Sequence, residues 1–558
     1  MIKKNIIIED RYLILPVKRG PTPSPTLLSP YGAWPKKNKM LSRDLGHLRI
    51  KKNNKVLFWF DIKLVSNSND YEVFLDLKKY LGENLVIEYE GKGTTTLDGI
   101  FLSKTPIVTY DLYKETLRPQ FHFSSRRGWN NDPNGLFYYD GYYHLLYQHN
   151  PYSTDSNGNL HWGHAISKNL INWSELPIAL YPDKLGTIST GSSVVDYNNT
   201  SGLGKNNNPA IVSIYTSGHA SYSKEFTQCI AFSNDGGWNW EKFKGNPVMG
   251  HIIGKNRDPK VFWHDDTNKW IMVLYLDKSD YGIFSSNNLI NWVFLSKFTL
   301  NRATECPELF PLNVDGNVND KKWVFWGANS TYSIGSFDGK IFLPEQENKK
   351  LQLNGNSYAA QTWSNIPNND GRRIQISWMR QILPNMPFGQ FMSFPHSLTL
   401  TRKNDEIYIK AKPIEEINLL YNTKWNISLK ELTQNSPIEA DITSELYDIE
   451  LEYQMRNSEK VAIDLRGIRI WYSKTYETLF CGTYSVPLKL KDGKFNLRVL
   501  VDKASIEIYA DDGTIMVAIG VILEKENKKI VISTQSGVGL IVNMKVISLK
   551  SSWKIFDE

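Results

Sequence analysis

Residues 128–151 read GWNNDPNGLFYYDGYYHLLYQHNP, and this stretch decides the fold prediction. Two aromatic runs, LFYY and YYHLLY, flank the pair Asp140-Gly141, which is a strong signal for a β-hairpin. Just before the first run an acid, Asp132, stands among asparagines and a proline, which are residues that favour turns. The pattern predicts an aromatic hairpin entered by an acid. For this single acid, a role in the turn and a functional role are equally open.

Short strands of this kind recur along the whole chain of 558 residues. They are rich in β-branched and aromatic residues, are bounded by turn-forming pairs, and show little helical periodicity. The segments are 58–64, 85–91, 136–148, 261–276, 322–328, 372–379 and 497–513. This pattern predicts an all-β protein.

A repeat within the strand pattern predicts a β-propeller. The segment SKNLINW at 167–173 returns as SSNNLINW at 285–292, and a looser version, SNDGGWNW, occupies 233–240. Sets of short strands that recur at intervals of about 50 to 65 residues are typical of propellers, in which each blade is one four-stranded sheet. By this spacing, residues 116–405 would hold about five blades.

Three further regions surround the predicted propeller. Residues 1–115 are predicted to form a small β-rich N-terminal domain, whose proline-rich stretch KRGPTPSPTLLSP is interpreted as an extended linker. Residues 406–429 are predicted to be a linker, and residues 430–558 a C-terminal β-sandwich with regularly spaced strands. In that sandwich, Ser505 and Glu507 are interpreted as alternating faces of a strand and not as a site.

Composition argues against several classes of function. The net charge of +7 is spread over isolated lysine runs, which is not the pattern of a nucleic-acid-binding protein. No apolar run is long enough to span a membrane, and the first ten residues are too polar for a signal peptide. A leader removed before residue 1 stays open. Because Cys229, Cys306 and Cys481 are far apart, neither a disulfide framework nor a zinc site is predicted.

Two further acids stand at places equivalent to that of Asp132. Asp258 lies in an Arg-Asp-Pro motif and Glu305 in a Glu-Cys-Pro motif, and each motif precedes a strand, a turn and a second strand. The rotational symmetry of a propeller would bring all three acids to its axis. Like charges crowded together cost free energy unless they are protonated or used, so the cluster predicts a functional site rather than solvated turns.

Glycoside hydrolysis fits three carboxyl groups without a histidine cluster. A retaining reaction needs one carboxylate nucleophile and one carboxylic acid that protonates the leaving oxygen, about 5 to 5.5 Å apart. Clustered carboxylates also suit a calcium site, but EF-hand spacing is absent, so metal binding is the weaker interpretation. No metal and no other cofactor is predicted.

The ordered acid motifs resemble those of a known family. Besides WNNDPNG, RDP and ECP, the chain carries further blocks that look like family segments: HWGH at 161–164, TGSSVVDYNNTSG at 190–202, MPFGQFMSFPHSLTL at 386–400 and LRVLVDKASIEIYADDG at 497–513. Together they resemble glycoside hydrolase family 32, the β-fructofuranosidases, which comprise invertases, inulinases and levanases. The likeness extends over nearly the whole chain.

This resemblance implies a five-bladed propeller with a C-terminal sandwich and a retaining mechanism on fructosyl units. It implies that Asp132 is the nucleophile, Glu305 the general acid/base, and Asp258 the carboxylate that stabilises the transition state. In such a mechanism Glu305 must be protonated while Asp132 is ionised. The candidate substrate-binding residues are Trp129, Asn131, Gln148, Trp162, Thr190, Ser192, Arg257 and Trp378. For Trp162 and Trp378, a place in the hydrophobic core is at least as good an expectation.

The chain departs from the family pattern at two places near the expected cleft mouth. Asn157 stands where members usually carry an aromatic residue, and Ser189 stands where Phe or Trp is usual. The two substitutions predict a wider and more polar entrance, suited to an oligosaccharide or polymer more than to sucrose.

The predicted function is therefore a retaining glycoside hydrolase that releases fructose from β-D-fructofuranosides. It is expected to be exo-acting on inulin-type or levan-type fructans or on fructo-oligosaccharides, with sucrose as a further candidate substrate. Two alternatives remain: a fructosyltransferase with the same three acids, and a carbohydrate-binding propeller without catalysis, which would need no proton donor. A polymeric substrate favours a secreted or periplasmic protein, although a cytoplasmic location, like the linkage preference and the oligomeric state, is left open.

Overall fold

The computed structural model describes residues 1–18, 46–66, 69, 71–91, 96–106, 112–154, 158–205, 208–219 and 223–553. Strands dominate these residues, and the helices within them are short 3-10 turns: Lys78–Tyr80, Asp265–Thr267, Glu415–Leu420 and Asp511–Gly513. The all-β prediction is confirmed. Within the described ranges, no helix is long and apolar enough to cross a membrane. Most of the proline-rich stretch predicted to be a linker lies outside the described residues.

The N-terminal region forms two small antiparallel sheets over one hydrophobic core. The first contains Ile2–Ile7, Asn84–Glu90, Gly46–Lys52 and Lys55–Ile62, in that order across the sheet. The second contains Tyr71–Asp76, Tyr12–Val17 and Phe101–Ser103. The core between them also receives Tyr152, whose ring stacks on Phe60 with 3.9 Å between the ring centroids. This region therefore packs against the loop that leaves the hairpin quoted above.

Five sheets follow in chain order, as expected for five blades, and we number them blades 1 to 5. Blade 1 contains Gly128–Tyr139, Tyr142–Asn150, His161–Ser167 and Ser174–Leu180. Blade 2 contains Ile188–Asp196, Ala210–His219, Ser223–Ser233 and Glu241–Lys242. Blade 3 contains Arg257–His264, Lys269–Asp277, Asp280–Ser286 and Val293–Thr299. Blade 4 contains Glu308–Asn313, Lys321–Trp326, Thr331–Phe337, Phe342–Pro344 and Lys349–Lys350. Blade 5 contains Ser357–Thr362, Arg373–Met379, His396–Lys403, Glu406–Pro413 and Phe391–Met392.

The repeated tryptophan segments occupy the same turn in successive blades, between the third strand and the fourth. In blade 1 the indole nitrogen of Trp173 donates to the carbonyl of Leu170 at 3.1 Å, and in blade 3 that of Trp292 donates to Leu289 at 2.9 Å. Both leucines have a left-handed backbone, with φ of +61° and +62°. The looser segment 233–240 lies at the corresponding turn of blade 2. The repeat seen in the sequence is thus a true structural repeat.

We call the first strand of each blade its inner strand, and the inner strands of blades 1, 2, 3 and 5 lie next to one another. A buried ion pair joins Lys260 of blade 3 to Glu308 of blade 4, with 2.5 Å between Nζ and Oε1. The same Glu308 carboxylate accepts a hydrogen bond from the backbone N–H of Thr362 in blade 5 at 2.9 Å. The next residues of blade 5 return to blade 1, where the N–H of Ser364 donates to the carbonyl of Leu136 at 3.0 Å. A short strand, Phe388–Gly389, also pairs in parallel with the start of blade 1.

The C-terminal region contains two sheets that share one hydrophobic core. The larger sheet contains Gln352–Gly355, Ile515–Gly520, Ser505–Ala510, Lys494–Val501, Tyr447–Gln454, Val538–Leu549 and Tyr421–Thr433. The smaller contains Ile438–Glu439, Ile530–Gln535, Lys460–Leu465, Ile468–Ser473, Thr478–Cys481 and Tyr484–Pro487. The predicted linker 406–429 thus carries the last strand of blade 5, a 3-10 helix and the start of a sandwich strand. The domain limits themselves stay a prediction.

A buried histidine joins the propeller segment to the sandwich. His122 Nδ1 lies 2.8 Å from Asp502 Oδ2, and His122 Nε2 lies 3.2 Å from Glu507 Oε1. Glu507 also accepts from the backbone N–H of Phe394 and from the hydroxyl of Tyr509. Although the side chains of strand Ser505–Ala510 alternate, both of its faces are buried, so Glu507 belongs to a domain junction that the sequence did not reveal.

Candidate active site

The inner strands of four blades share an irregularity near their starts. Their pairing registers shift between Asn130 and Pro133, Ile188 and Gly191, Arg257 and Lys260, and Tyr358 and Gln361. A β-bulge of this kind leaves residues unpaired in the ladder and re-aims their side chains. Asp132, Thr190 and Asp258 stand at these shifts. The turn chemistry around Asp132, which the sequence left ambiguous, therefore serves to direct a carboxylate out of the regular strand pattern.

Three neighbouring residues have left-handed backbones, which side chains other than glycine rarely adopt. They are Asp258, Glu305 and Cys306, with φ of +64°, +56° and +35°. Each such conformation costs of order 1 kcal/mol or more and persists only where the surroundings enforce it. Two of the three predicted acids are thus held in strained backbone, a feature that clusters at functional sites.

Hydrogen-bond donors hold both carboxylate oxygens of Asp132. The hydroxyl of Thr190 donates to Oδ2 at 2.7 Å, and the amide of Asn131 donates to Oδ1 at 3.2 Å. Gln148 connects these two donors, because its amide nitrogen donates to Thr190 Oγ1 at 2.6 Å and its oxygen accepts from Asn131. Trp129 completes the chain by donating from its indole nitrogen to Asn131 Oδ1 at 2.9 Å. Five of the residues predicted for the site therefore form one connected network.

Asp258 lies beside the same site and is almost fully buried. Its backbone N–H donates to the hydroxyl of Thr216 at 2.9 Å, and its Oδ2 accepts from the backbone N–H of Cys306 at 3.1 Å. The sulfur of Cys306 lies 3.6 Å from Asp258 Oδ2 and 3.8 Å from Asp132 Oδ2. One thiol therefore contacts the carboxylates of two blades, which shows that the two acids converge.

Glu305 contacts the same cluster through Arg257. The guanidinium of Arg257 donates to Glu305 Oε1 and also lies 3.6 Å from Asp258 Oδ2, so it bridges the two acids. The other oxygen, Oε2, accepts from the hydroxyl of Tyr358 in blade 5. The side chain of Glu305 is 28% exposed and that of Asp258 is 4% exposed. Glu305 therefore lies on the solvent side of the cluster.

Burial dominates the electrostatics of two of the acids. Burial raises the pKa of Asp132 to about 6, while the hydrogen bond from Thr190 opposes the rise and the charge of Glu305 adds to it. Burial also raises the pKa of Asp258 to about 7, and the positive charge of Arg257 opposes this rise. Since both values lie near neutrality, small changes around either carboxylate would change its protonation at physiological pH.

The remaining predicted residues lie at different distances from the cluster. Trp378 packs beside it, because its ring makes edge contacts with Trp129 at 6.3 Å and with Tyr358 at 6.4 Å. Trp162 lies in the hydrophobic core between blades 1 and 2, fully buried, and donates to the carbonyl of Ser189 at 3.0 Å. This is the core placement that the sequence left open for both tryptophans. In this conformation Trp162 offers no surface to a sugar.

Ser192 is occupied by a structural role. Its hydroxyl donates to the carbonyl of Pro259 at 2.9 Å and accepts from the N–H of Val261 at 2.9 Å, so it connects the inner strands of blades 2 and 3. Its predicted contact with substrate stays a prediction. Asn157, on which the prediction of a polar entrance partly rests, lies outside the described residues.

Sequence reasoning missed three residues of the cluster: Cys306, Thr216 and Tyr358. Cys306 is part of the Glu-Cys-Pro motif, but no pattern indicated that its thiol would lie between two carboxylates. Thr216 carries no sequence signal at all. Tyr358 is the second residue of the inner strand of blade 5, Ser357–Thr362, so the symmetry argument that linked the three acids could have pointed to it. Among the described residues, no group of His, Cys, Asp or Glu side chains is arranged to hold a metal ion.

Comparison with known proteins agrees with this architecture. The model of the glycosyl hydrolases family 32 N-terminal domain matches residues 122–412, and that of the family's C-terminal domain matches residues 416–547. A levanase of Bacillus subtilis (strain 168) is 35% identical over 491 residues, which are 79% of this chain and 72% of the levanase.

Solved structures give the same picture. The exo-inulinase from Aspergillus awamori superposes with a TM-score of 0.72 at 26% identity, covering 79% of this chain and 100% of its own. A fructofuranosidase from Schwanniomyces occidentalis, complexed with fructose, superposes with a TM-score of 0.71 at 28% identity, covering 80% of this chain and 100% of its own.

Proposed function

Because the chain belongs to glycosyl hydrolase family 32, we propose that it releases fructose from β-D-fructofuranosides by a retaining mechanism, with fructans as its main substrates. The observation that carries this proposal is the cluster of Asp132, Asp258 and Glu305, which three different blades contribute and which Arg257 and Cys306 connect. Similarity to a levanase and to an exo-inulinase supports a fructan as the substrate. The fructofuranosidase solved with fructose supports fructose as the released sugar.

In this proposal Asp132 is the nucleophile. Its carboxylate is held at both oxygens by donors from two blades, so it is oriented before the substrate arrives. Donors that favour the ionised form oppose the effect of burial on its pKa, which leaves the group largely ionised near neutral pH. Attack on the anomeric carbon would form a covalent fructosyl-enzyme, which water then hydrolyses.

Glu305 is the general acid and then the general base. Of Glu305 and Asp258, it is the more exposed, which suits a group that must meet both the leaving group and the incoming water. Both of its oxygens accept hydrogen bonds, Oε1 from Arg257 and Oε2 from Tyr358. Before Glu305 can carry the proton that the leaving oxygen needs, one of these contacts must lengthen or turn toward the substrate.

Asp258 stabilises the transition state. It is nearly buried and held at Oδ2 by the N–H of Cys306, so its carboxyl group is fixed in position beside the place where positive charge develops on the sugar ring. Because its pKa is near 7, substrate hydroxyl groups that donate to it would favour its ionised form. Arg257 would fix the position of this carboxylate relative to that of Glu305.

The decisive experiment replaces each proposed reacting carboxylate by its amide. Asp132→Asn and Glu305→Gln are expected to reduce fructose release by several orders of magnitude with circular dichroism unchanged, because each removes a group that forms or breaks a bond. Asp266→Asn, in the exposed turn of blade 3, is the matched control and should keep full activity. Activity of Asp132→Asn or Glu305→Gln close to that of the wild type would contradict the assignment of that residue.

Substrate preference is tested separately. Initial rates on sucrose, inulin and levan are expected to favour one of the two polymers, because Ser189 replaces a bulky aromatic side chain that family members usually carry near the cleft mouth. A strong preference for sucrose would contradict the wider entrance. Products that grow longer than the substrate would show transfer in place of hydrolysis.

A further inference from the structure

A cavity lies at the opposite end of blade 1 from the carboxylates. It has a volume of about 780 Å³ and is formed by blades 1, 2 and 5. Its lining includes Tyr138, Tyr142, Tyr197, Asn234, Trp238 and Asn365. None of these residues takes part in the hydrogen-bond network around the acids.

The strand geometry gives the separation between the two sites. Asp132 and Tyr139 belong to the same inner strand, Gly128–Tyr139, and the cavity begins where that strand ends. At about 3.3 Å per residue, seven residues correspond to roughly 20 Å. A sugar bound at the carboxylates could not also fill this cavity unless it belonged to a longer chain.

Two aromatic side chains of the cavity are unusually exposed. Tyr197 is 63% exposed and Trp238 is 47% exposed, although large aromatic side chains are normally buried. Trp238 meets the ring of Tyr142 edge to face, with 5.9 Å between the centroids and 77° between the planes. This contact orients the indole and leaves much of its surface in solvent. Flat aromatic faces beside a concave surface are what the apolar C–H face of a sugar ring requires.

Polar groups lie beside these rings. The amide nitrogen of Asn365 donates to the carbonyl of Tyr138 at 2.7 Å and to the hydroxyl of Tyr197 at 3.0 Å, which fixes the exposed tyrosine in place. The side-chain oxygen of Asn234 is buried and accepts no hydrogen bond from any residue that the structure describes. An acceptor without a partner costs free energy, which a rotation of this side chain toward a ligand hydroxyl in the cavity would recover.

Other ligand classes fit this cavity less well. A nucleic acid needs cations for its phosphates, but among the described residues the lining carries the acids Asp140 and Asp235 and neither lysine nor arginine. A nearby cation, Lys168, lies over the ring of Tyr142, with 5.2 Å from its Nζ to the ring centroid. A stable protein partner would bury about 800 Å² of a continuous surface, and the centre of that interface would be poor in charge. This site is instead a concave cavity whose lining contains two acids. A concave site with exposed aromatic rings and amide groups is typical of carbohydrate recognition.

We propose that this cavity is a second carbohydrate-binding site, remote from the carboxylates, which holds a segment of the fructan chain. The choice of fructan among carbohydrates rests on the proposed function. Binding at this site keeps a polymer on the enzyme while its end is processed at the carboxylates, because a second contact raises the local concentration of chain ends. Short oligosaccharides, which cannot reach both sites, gain nothing from it.

The test removes the two exposed rings and leaves the catalytic cluster unchanged. Tyr197→Ala and Trp238→Ala, singly and together, are compared with Tyr476→Ala, which removes a 68% exposed tyrosine from the sandwich. For each full-length variant, initial rates on a trisaccharide of the fructan series and on inulin and levan are measured over a range of concentrations that reaches saturation. In the cavity variants, KM for the polymer should rise about two- to tenfold, while kcat on the polymer and the rates on the trisaccharide stay unchanged. The control variant should behave as the wild type.

Affinity electrophoresis in gels containing inulin, levan or dextran separates this inference from the proposed function. In an Asp132→Asn background, which prevents consumption of the polymer, the chain should be retarded by a fructan, and the cavity variants should lose most of that retardation. If the wild-type chain releases no fructose, the proposed function fails while the gels still report on the cavity. The inference would be overturned if no fructan retarded the chain, if loss of both rings left the retardation unchanged, or if dextran alone retarded the chain.

Discussion

Raising the pH is expected to weaken the junction between the propeller segment and the sandwich, because His122 is a buried cation there. Burial alone would lower its pKa, but the hydrogen bonds that its ring nitrogens donate to Asp502 and Glu507, together with the charges of these carboxylates, outweigh burial and raise the pKa from 6.5 to about 9. In the unfolded chain the histidine returns to its ordinary value of about 6.5. Its contribution to stability is therefore complete below pH 6.5 and is lost as the pH rises through about 9.

The size of the effect follows from these two values. Each pH unit between them corresponds to about 1.4 kcal/mol, so the free energy of unfolding should fall by roughly 3 kcal/mol between pH 6.5 and 9.5. Asp502 and Glu507 have pKa values lowered by the histidine, although burial acts in the opposite direction, so they stay ionised throughout this window and add no slope. A loss of this size is a large part of the stability of an ordinary domain.

The assay is urea unfolding, followed by tryptophan fluorescence, at pH 6.5, 7.5, 8.5 and 9.5. The double variant His122→Gln/Glu507→Gln removes the titrating ring and one carboxylate, while Asp502 keeps hydrogen bonds from the backbone N–H groups of Gln120 and Phe121. It should be less stable than the wild type at pH 6.5 and should approach it near pH 9.5. His396→Gln is the matched control, since burial lowers the pKa of His396 and this histidine is already neutral in the window. Parallel curves for the wild type and the double variant would refute the reasoning.

Two further substitutions test the carboxylate cluster and the buried ion pair between blades 3 and 4. Thr190→Val removes the hydroxyl that donates to Asp132 Oδ2, which should raise the pKa of that carboxyl. The acidic limb of the pH profile of kcat/KM for fructose release should therefore move to higher pH. At pH 5 the rate should fall by about tenfold or more. An unmoved acidic limb would show that this hydrogen bond does not control Asp132. Lys260→Met leaves Glu308 as an unpaired buried charge and should cost about 3 to 5 kcal/mol of stability, seen as a lower Tm, whereas the addition of Glu308→Gln should restore most of the loss. Equal stability of the single and double variants would contradict this account.

Much of the architecture can be inferred from the sequence because the signals are local. The alternation of aromatic and polar residues along strands, the Asp-Gly turn at Asp140, and the repeated segment ending at Trp173 and Trp292 each reflect interactions within a few residues. The symmetry of the repeat then predicts that Asp132 and Asp258 meet. The contacts of one thiol with both carboxylates agree with that prediction.

The tertiary structure decided everything that depends on residues distant in the chain. Thr190 reaches Asp132 from another blade, Tyr358 reaches Glu305, and the partners of His122 lie 380 and 385 residues away in the sequence. No short pattern encodes such pairs, since each arises only when the sheets have packed. The same reason explains why Trp162 could be assigned to the core only after folding: a buried strand tryptophan and a sugar-binding one have the same local sequence and differ in what packs against the ring.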